Sequence, residues 1–150
     1  MPIFGGVSEA ALTFLLQSAE HISRETDEYF FQEEELADAM YVIERGRIAV
    51  YRRCDGKQYK LRELVQGDCF GEMALMDCKP RSASAQALEP CRAIRIQTSL
   101  MSDLYGVFPD QFTLIQMNMG REVCRRLREA DKRLFEQAVN NNQYPECRTS

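Results

Sequence analysis

Residues 67–85 read GDCFGEMALMDCKPRSASA, which sets one carboxylate, Glu72, nine residues before one guanidinium, Arg81. Between them lies a short helix-capable run, Met73 to Asp77, introduced by Gly71. Glycine lets backbone approach a ligand closely, and the first amides of a short helix point their unpaired N–H groups at an anion. Arg81 can close on the same anion with a forked, charge-assisted hydrogen bond. Glu72 would be repelled by a bare phosphate, so it makes sense only if the ligand also offers hydroxyl donors, as a ribose does. The stretch reads as a cradle for a phosphate that carries a sugar.

Around this cradle the hydropathy pattern has a period near two. Met40 and Val42 alternate with Tyr41 and Ile43, and after Gly46 the residues Ile48 and Val50 alternate with Arg47, Ala49 and Tyr51. Asp55-Gly56 is a hairpin signal, Tyr59, Leu61 and Leu64 continue the pattern, and Ile94 and Ile96 alternate with Ala93 and Arg95. Many short strands with glycine-containing turns predict a mainly β sandwich or jelly roll (a double-stranded β-helix) over about residues 22–98, with helices on either side.

Before it, Ser8 is the expected N-cap of a helix over residues 9–20, with Ala11, Leu12, Leu15, Leu16 and Ala19 on one face and His21 at its end. After it, a short helix over 99–105 with Thr98 or Ser99 as cap leads to Pro109 at a first helical position. Ile115, Met119, Val123, Leu127, Ala130 and Leu134 then form an apolar stripe, flanked by Glu122–Arg126 and Glu129–Arg133 pairs at i,i+4. The expectation is one domain over residues 1–139, without internal repeat, and a flexible tail over 140–150.

Composition narrows the function. A net charge of −4 offers no footprint for nucleic acid or an acidic membrane. No run is long enough for a transmembrane helix, and the start MPIFGGVSEA lacks a signal-peptide pattern, so a cytoplasmic location is expected. The six cysteines never fall as CxxC and the one histidine is His21, which argues against a metal site and against Ser–His–Asp chemistry. Scattered thiols of this kind are expected as reduced core residues, and Glu33-Glu34-Glu35 as a solvated loop.

Phe70-Gly71-Glu72, Ala74-Leu75 and Pro80-Arg81-Ser82-Ala83 resemble the phosphate-binding cassette of the cyclic nucleotide-binding domain family. That family includes the bacterial catabolite activator, the regulatory subunits of protein kinase A and cyclic-nucleotide-gated channels. Phe4-Gly5-Gly6-Val7 resembles the family's lead-in to its first helix, and FFQEEELADAMYVIERGRIAVYRR (residues 30–53) its strands before the cassette. Where the family usually places Gly, at a turn wanting positive φ, this chain has Glu34. Either that turn is rebuilt or Glu34 is held in a costly conformation.

The resemblance implies that Glu72 accepts the ribose 2′-OH, that Arg81 pairs with the exocyclic phosphate oxygens, and that the Gly71, Ala74 and Ala83 amides and the Ser82 hydroxyl supplement it. It implies a purine lying against β-strand side chains at Leu64, with Leu61 nearby, and C-terminal helices that lid the pocket and can form a homodimer or partner contact. For the base, Arg125, Arg126, Arg128 or Phe135 can stack, since residues 121–137 contain no Ser or Thr. Ser82 is compatible with cAMP or cGMP; the Arg-Ser-Ala ending looks closer to the bacterial cAMP pattern. No residue set supports chemistry on the ligand, so the expectation is a sensor without cofactor or metal, not an enzyme. Two other readings stand beside a stand-alone receptor: the ligand-sensing part of a catabolite-activator-type transcription regulator, whose DNA-binding element this chain by itself lacks, and a non-binding interaction module.

Overall fold

In the computed structural model, which describes residues 2–141, a single 3-10 turn (Pro2–Phe4) precedes α1, Glu9–Ser18. The Ser8 hydroxyl caps α1 by accepting from the Ala11 amide at 3.3 Å. The helix stops at Ser18, short of the expected Glu20, because the chain turns at once into strand β1, Glu20–Arg24. His21 therefore belongs to a strand, not a helix end. It sits opposite Ile94, with Nδ1 3.0 Å from Glu44 Oε1.

Seven more strands follow: β2 (Tyr29–Phe31), β3 (Ala39–Arg45), β4 (Ile48–Cys54), β5 (Lys57–Leu64), β6 (Cys69–Phe70), β7 (Ser84–Ala87) and β8 (Cys91–Gln97). They form two four-stranded antiparallel sheets, ordered β1-β8-β3-β6 and β2-β7-β4-β5. This is the predicted jelly roll with flanking helices. The β4–β5 turn places Asp55 at φ 52° and Gly56 at φ 76°, the left-handed pair a two-residue hairpin needs.

Strand β3 shows what its alternation means. Met40 and Val42 join Ile94 and Ile96 on the outer face, where Leu15, Leu104, Ile115 and Met119 cover them. Tyr41 and Ile43 point between the sheets with Ile48, Leu64 and Phe70. Both faces are covered, so residues 39–43 are all buried, each large side chain stabilising the fold by about 1.5–3 kcal/mol.

Helix α2 (Met73–Asp77) lies where the sequence placed it, and α3 (Thr98–Val107) and α4 (Pro109–Asn140) close the chain. Gln97 is the N-cap of α3 and lends no side-chain bond, whereas the Thr98 hydroxyl donates to Asp38 O. In α4 only the first part of the expected stripe packs: Ile115 and Met119 are buried, whereas Leu127 and Leu134 stand 59% and 57% exposed. The buried Asn118 amide donates to Ile3 O and Gly5 O, tying α4 to the N-terminal turn. The expected i,i+4 pairs are replaced. Arg125 bridges Glu122 and Glu129, which frees Arg126 to leave the helix surface, and Arg133 donates to Leu61 O. Of the cysteines, Cys69 and Cys91 are buried as expected, but Cys54, Cys78 and Cys124 are exposed. Asn140 is the last residue of α4, and of the tail expected over 140–150, residues 142–150 lie outside the described residues.

Candidate functional site

The cassette folds around Gly71. Its φ is +75°, and a Cβ there would meet Arg81 Nη1 at 2.6 Å and the Phe31 ring at 3.3 Å. A side chain is thus disfavoured twice, by backbone conformation and by space. The Arg81 guanidinium fills that space. It donates to Gly71 O at 3.1 Å and Ala39 O at 2.7 Å, and its Cζ lies 4.0 Å from the Phe31 ring centroid, a cation–π distance. Its Nε is buried and has no partner among the described residues. Burial lowers the Arg81 pKa, with Tyr41 and Asp38 acting in the opposite sense.

Glu34 is held in the costly conformation, at φ 73°. Its amide donates to Arg81 O at 2.8 Å, and the Arg81 amide donates to Glu35 O at 2.9 Å. The Glu33-Glu34-Glu35 loop is therefore a backbone brace for the cassette. Glu33 joins in, its amide donating to Ser84 Oγ and its carboxylate accepting from the Arg53 amide.

Glu72 and Arg81 are 3% and 5% exposed, so neither is a surface side chain, and no bond or ion pair joins them among the described residues. Glu72 is held from α4 instead. Arg126 Nη1 donates to Glu72 Oε1 at 2.5 Å, and Nη2 donates to Cys69 O. Beneath this pair, burial pushes the Cys69 thiol up to about 12, with the Glu72 charge adding to the shift.

One cavity of about 270 Å³ collects Gly71, Glu72, Arg81, Ser82 and Ala83. Ala74 contributes its backbone to α2. Leu61 and Leu64 are elsewhere: Leu61 is an exposed residue skipped by the β4–β5 register, and Leu64 is buried in the core between the sheets. The strand side chains that do line the cavity are Phe31, Val50, Phe70 and Arg62. Val50 pairs with Arg62, and Leu64 lies two residues beyond Arg62 on the same face. That parity was a signal for Arg62 in the sequence, obscured because a bulge beside Tyr51 shifts the phase at Leu61. The sequence offers Arg126 as the i,i+4 partner of Glu122 or as a base-stacking side chain, and nothing in the spacing of α4 shows that it reaches Glu72.

An eight-stranded jelly roll whose cavity holds a buried, incompletely bonded arginine and a buried carboxylate defines a class, the two-sheet jelly-roll domain with a charged internal pocket. Comparison with known proteins narrows it: residues 22–106 match the family model described as "Cyclic nucleotide-binding domain", and the chain belongs to that family. It is 30% identical over 148 residues to the cyclic AMP receptor protein of Thermus thermophilus, covering 95% of this chain and 67% of the relative. It is 28% identical over 133 residues to a CRP-like cAMP-activated global transcriptional regulator of Mycobacterium tuberculosis, covering 88% of this chain and 58% of the relative. Among solved structures, the Thermus thermophilus catabolite activator protein superposes with a TM-score of 0.79 at 28% identity, over 92% of this chain and 63% of that one. A cyclic nucleotide-binding domain from Methylobacillus flagellatus has a TM-score of 0.82 at 21% identity, over 89% and 76%, and shares the fold. The chain thus spans about three fifths to two thirds of the length of the first three of these relatives.

Proposed function

We propose that this chain is a receptor for a purine 3′,5′-cyclic monophosphate that couples occupancy of the cavity to the position of α4. The carrying observation is the pair of opposite charges buried in one cavity yet not paired with one another. Arg81 keeps an unbonded Nε, and Glu72 offers Oε2 while Arg126 holds Oε1. A cyclic phosphate on Arg81 and Ser82, with its ribose 2′-OH donating to Glu72 Oε2, would satisfy both. The Gly71 and Ala83 amides then complete the cradle.

Coupling follows from the shared carboxylate. A hydroxyl drawing charge from Glu72 changes what Arg126 gains by staying there, and Arg126 belongs to α4. A ligand that favours one α4 arrangement 100-fold supplies about 2.7 kcal/mol, enough to tip a balanced hinge. Relatives named for cAMP, together with the Arg-Ser-Ala ending of the cassette, put cAMP first among ligands to try, with cGMP beside it. The chain is read as a binding domain rather than an enzyme, since among the described residues the Glu72 carboxylate is held by Arg126, which cannot serve as a proton-transfer partner. A cytoplasmic location accords with the absence, among the described residues, of a helix long and apolar enough to cross a membrane.

A second reading, that the chain is the sensing part of a longer transcription regulator, rests on the relatives' own length and names. The exposed second half of α4 then serves as the contact to a second copy. The test of the receptor reading is a thermal melt with saturating ligand: at about 100 times its dissociation constant, ligand adds about 2.7 kcal/mol. A shift with cAMP or cGMP that is absent in Arg81→Ala is expected. No shift with either nucleotide overturns the reading.

A further inference from the structure

Arg81 is 5% exposed, yet no carboxylate pairs with it among the described residues. Its hydrogen bonds go to two backbone carbonyls, Gly71 O and Ala39 O, whose dipoles offset only part of the cost of burying a cation. An aromatic face covers the rest. Arg81 Cζ lies 4.0 Å from the Phe31 ring centroid, in stacking contact, and 6.0 Å from that of Tyr41, at the outer limit of attraction.

The Phe31 ring is fixed by its own neighbours. Its centroid is 5.9 Å from that of Tyr41 and 5.8 Å from that of Phe70, and those two rings stack on one another at 5.0 Å. The Phe31 backbone sits opposite Ala85 of β7, and the residues just after it bond the Arg81 peptide, through the Glu34 amide and the Glu35 carbonyl. One short segment, residues 31–35, therefore grips Arg81 by side chain and by backbone. Phe70 is enclosed at 2% exposure, whereas Phe31 is half-buried and lines the cavity beside the guanidinium it covers.

We propose that Phe31 is a positioning residue for phosphate binding. Its ring holds the Arg81 guanidinium in one plane before ligand arrives and keeps water from one of its faces. A phosphate then meets donors that need no reordering, which lowers the cost of binding. The inference rests on the receptor reading above and concerns the phosphate end of the site, so it applies alike to whichever base the ligand carries.

Titration calorimetry with cAMP and with cGMP tests it on the unaltered chain, Phe31→Leu and Phe31→Tyr. Phe31→Leu stays apolar but loses the ring, and should weaken both nucleotides by the same factor, about 3–30-fold. Phe31→Tyr keeps the ring and should stay within about threefold of the unaltered chain. Arg81→Lys keeps the charge but not the plane, so adding Phe31→Leu to it should cost less than about twofold more; a side chain that only packs the core would cost the same factor in both backgrounds. The ligand-free unaltered chain gives a readout that needs no variant to fold: Arg81 guanidinium protons held over a ring should resonate upfield of those of exposed arginines in NMR spectra. Absence of that shift overturns the assignment. So does an equal loss in both backgrounds, a loss confined to one nucleotide, or Phe31→Tyr binding as weakly as Phe31→Leu. Each of these leaves the receptor reading standing. Failure of both nucleotides to bind the unaltered chain overturns the receptor reading, and the role of Phe31 with it.

Discussion

Replacing Arg126 with Met tests how α4 is held to the cassette. Arg126 keeps 10% of its side chain exposed and Glu72 keeps 4%, and among the described residues the 2.5 Å contact between them is the one hydrogen bond to the Glu72 carboxylate. Breaking a buried pair from one side typically costs about 3–5 kcal/mol, since the remaining charge stays buried and unpaired. Arg126 is not fully enclosed, so about 3 kcal/mol is expected, which in a chain of this size lowers Tm by roughly 6–12 °C. The double variant Glu72→Gln, Arg126→Met removes both charges and should recover much of that loss, giving a coupling of about 1–3 kcal/mol in a double-mutant cycle. Urea denaturation of the ligand-free chain, the two single variants and the double variant measures it. Hydrogen exchange over residues 121–140 should rise in Arg126→Met, because Leu127 and Leu134 are exposed and Arg133 to Leu61 O at 3.3 Å is a weak second tether. A single-variant cost under about 0.5 kcal/mol, with no coupling, is the behaviour of a solvent-exposed pair. It would refute the view that this ion pair clamps the helix.

Other expectations follow from the same geometry. Arg81→Ala should weaken cyclic nucleotide binding by about 2–5 kcal/mol in titration calorimetry, more than Glu72→Ala, which also removes a negative charge from the phosphate's surroundings. Gly71→Ala should abolish binding and lower Tm, because the new Cβ lies 2.6 Å from Arg81 Nη1 at a φ of +75°. Glu34→Gly should raise Tm by a few degrees: a left-handed L-residue costs about 1–2 kcal/mol, partly offset by the greater unfolded-state freedom of glycine. Glu63, on β5, is held at about 2 by hydrogen bonds from Lys60 and Arg47. Its folded-state value lies below the unfolded one, so its contribution is present above the usual carboxylate range and is lost as pH falls towards 2. Stability measured across that window should fall less steeply in Glu63→Gln, and the difference should shrink in high salt.

The fold was legible where local chemistry and tertiary packing agree. Asp55-Gly56 adopts the left-handed hairpin its residue types favour, α2 occupies the run behind Gly71, and Pro109 opens α4. The two faces of β3 could be sorted by period but not assigned, since both turned out to be covered. His21 was misplaced because an apolar helical face runs up to Ala19, and only the pairing of β1 with β8 ends the helix before it. At the site, Gly71, Glu72, Arg81, Ser82 and Ala83 could be gathered because one contiguous segment carries them. Arg62 and Arg126 could not, for the reasons long-range contacts usually hide. A bulge moved the inward phase from Leu61 to Arg62, and competition from Arg125 for both glutamates released Arg126 to Glu72. The same applies to Glu34, whose strain is repaid by two backbone bonds to and from Arg81 that no local rule supplies.

The most direct test of the receptor reading is titration calorimetry of the chain with cAMP and cGMP, each against its 5′-monophosphate counterpart. A single saturable site per chain for at least one cyclic nucleotide, weaker for the ring-opened nucleotide and lost in Arg81→Ala, is the expected result. Flat heats for both, with Tm unchanged at the same ligand concentrations, would contradict it.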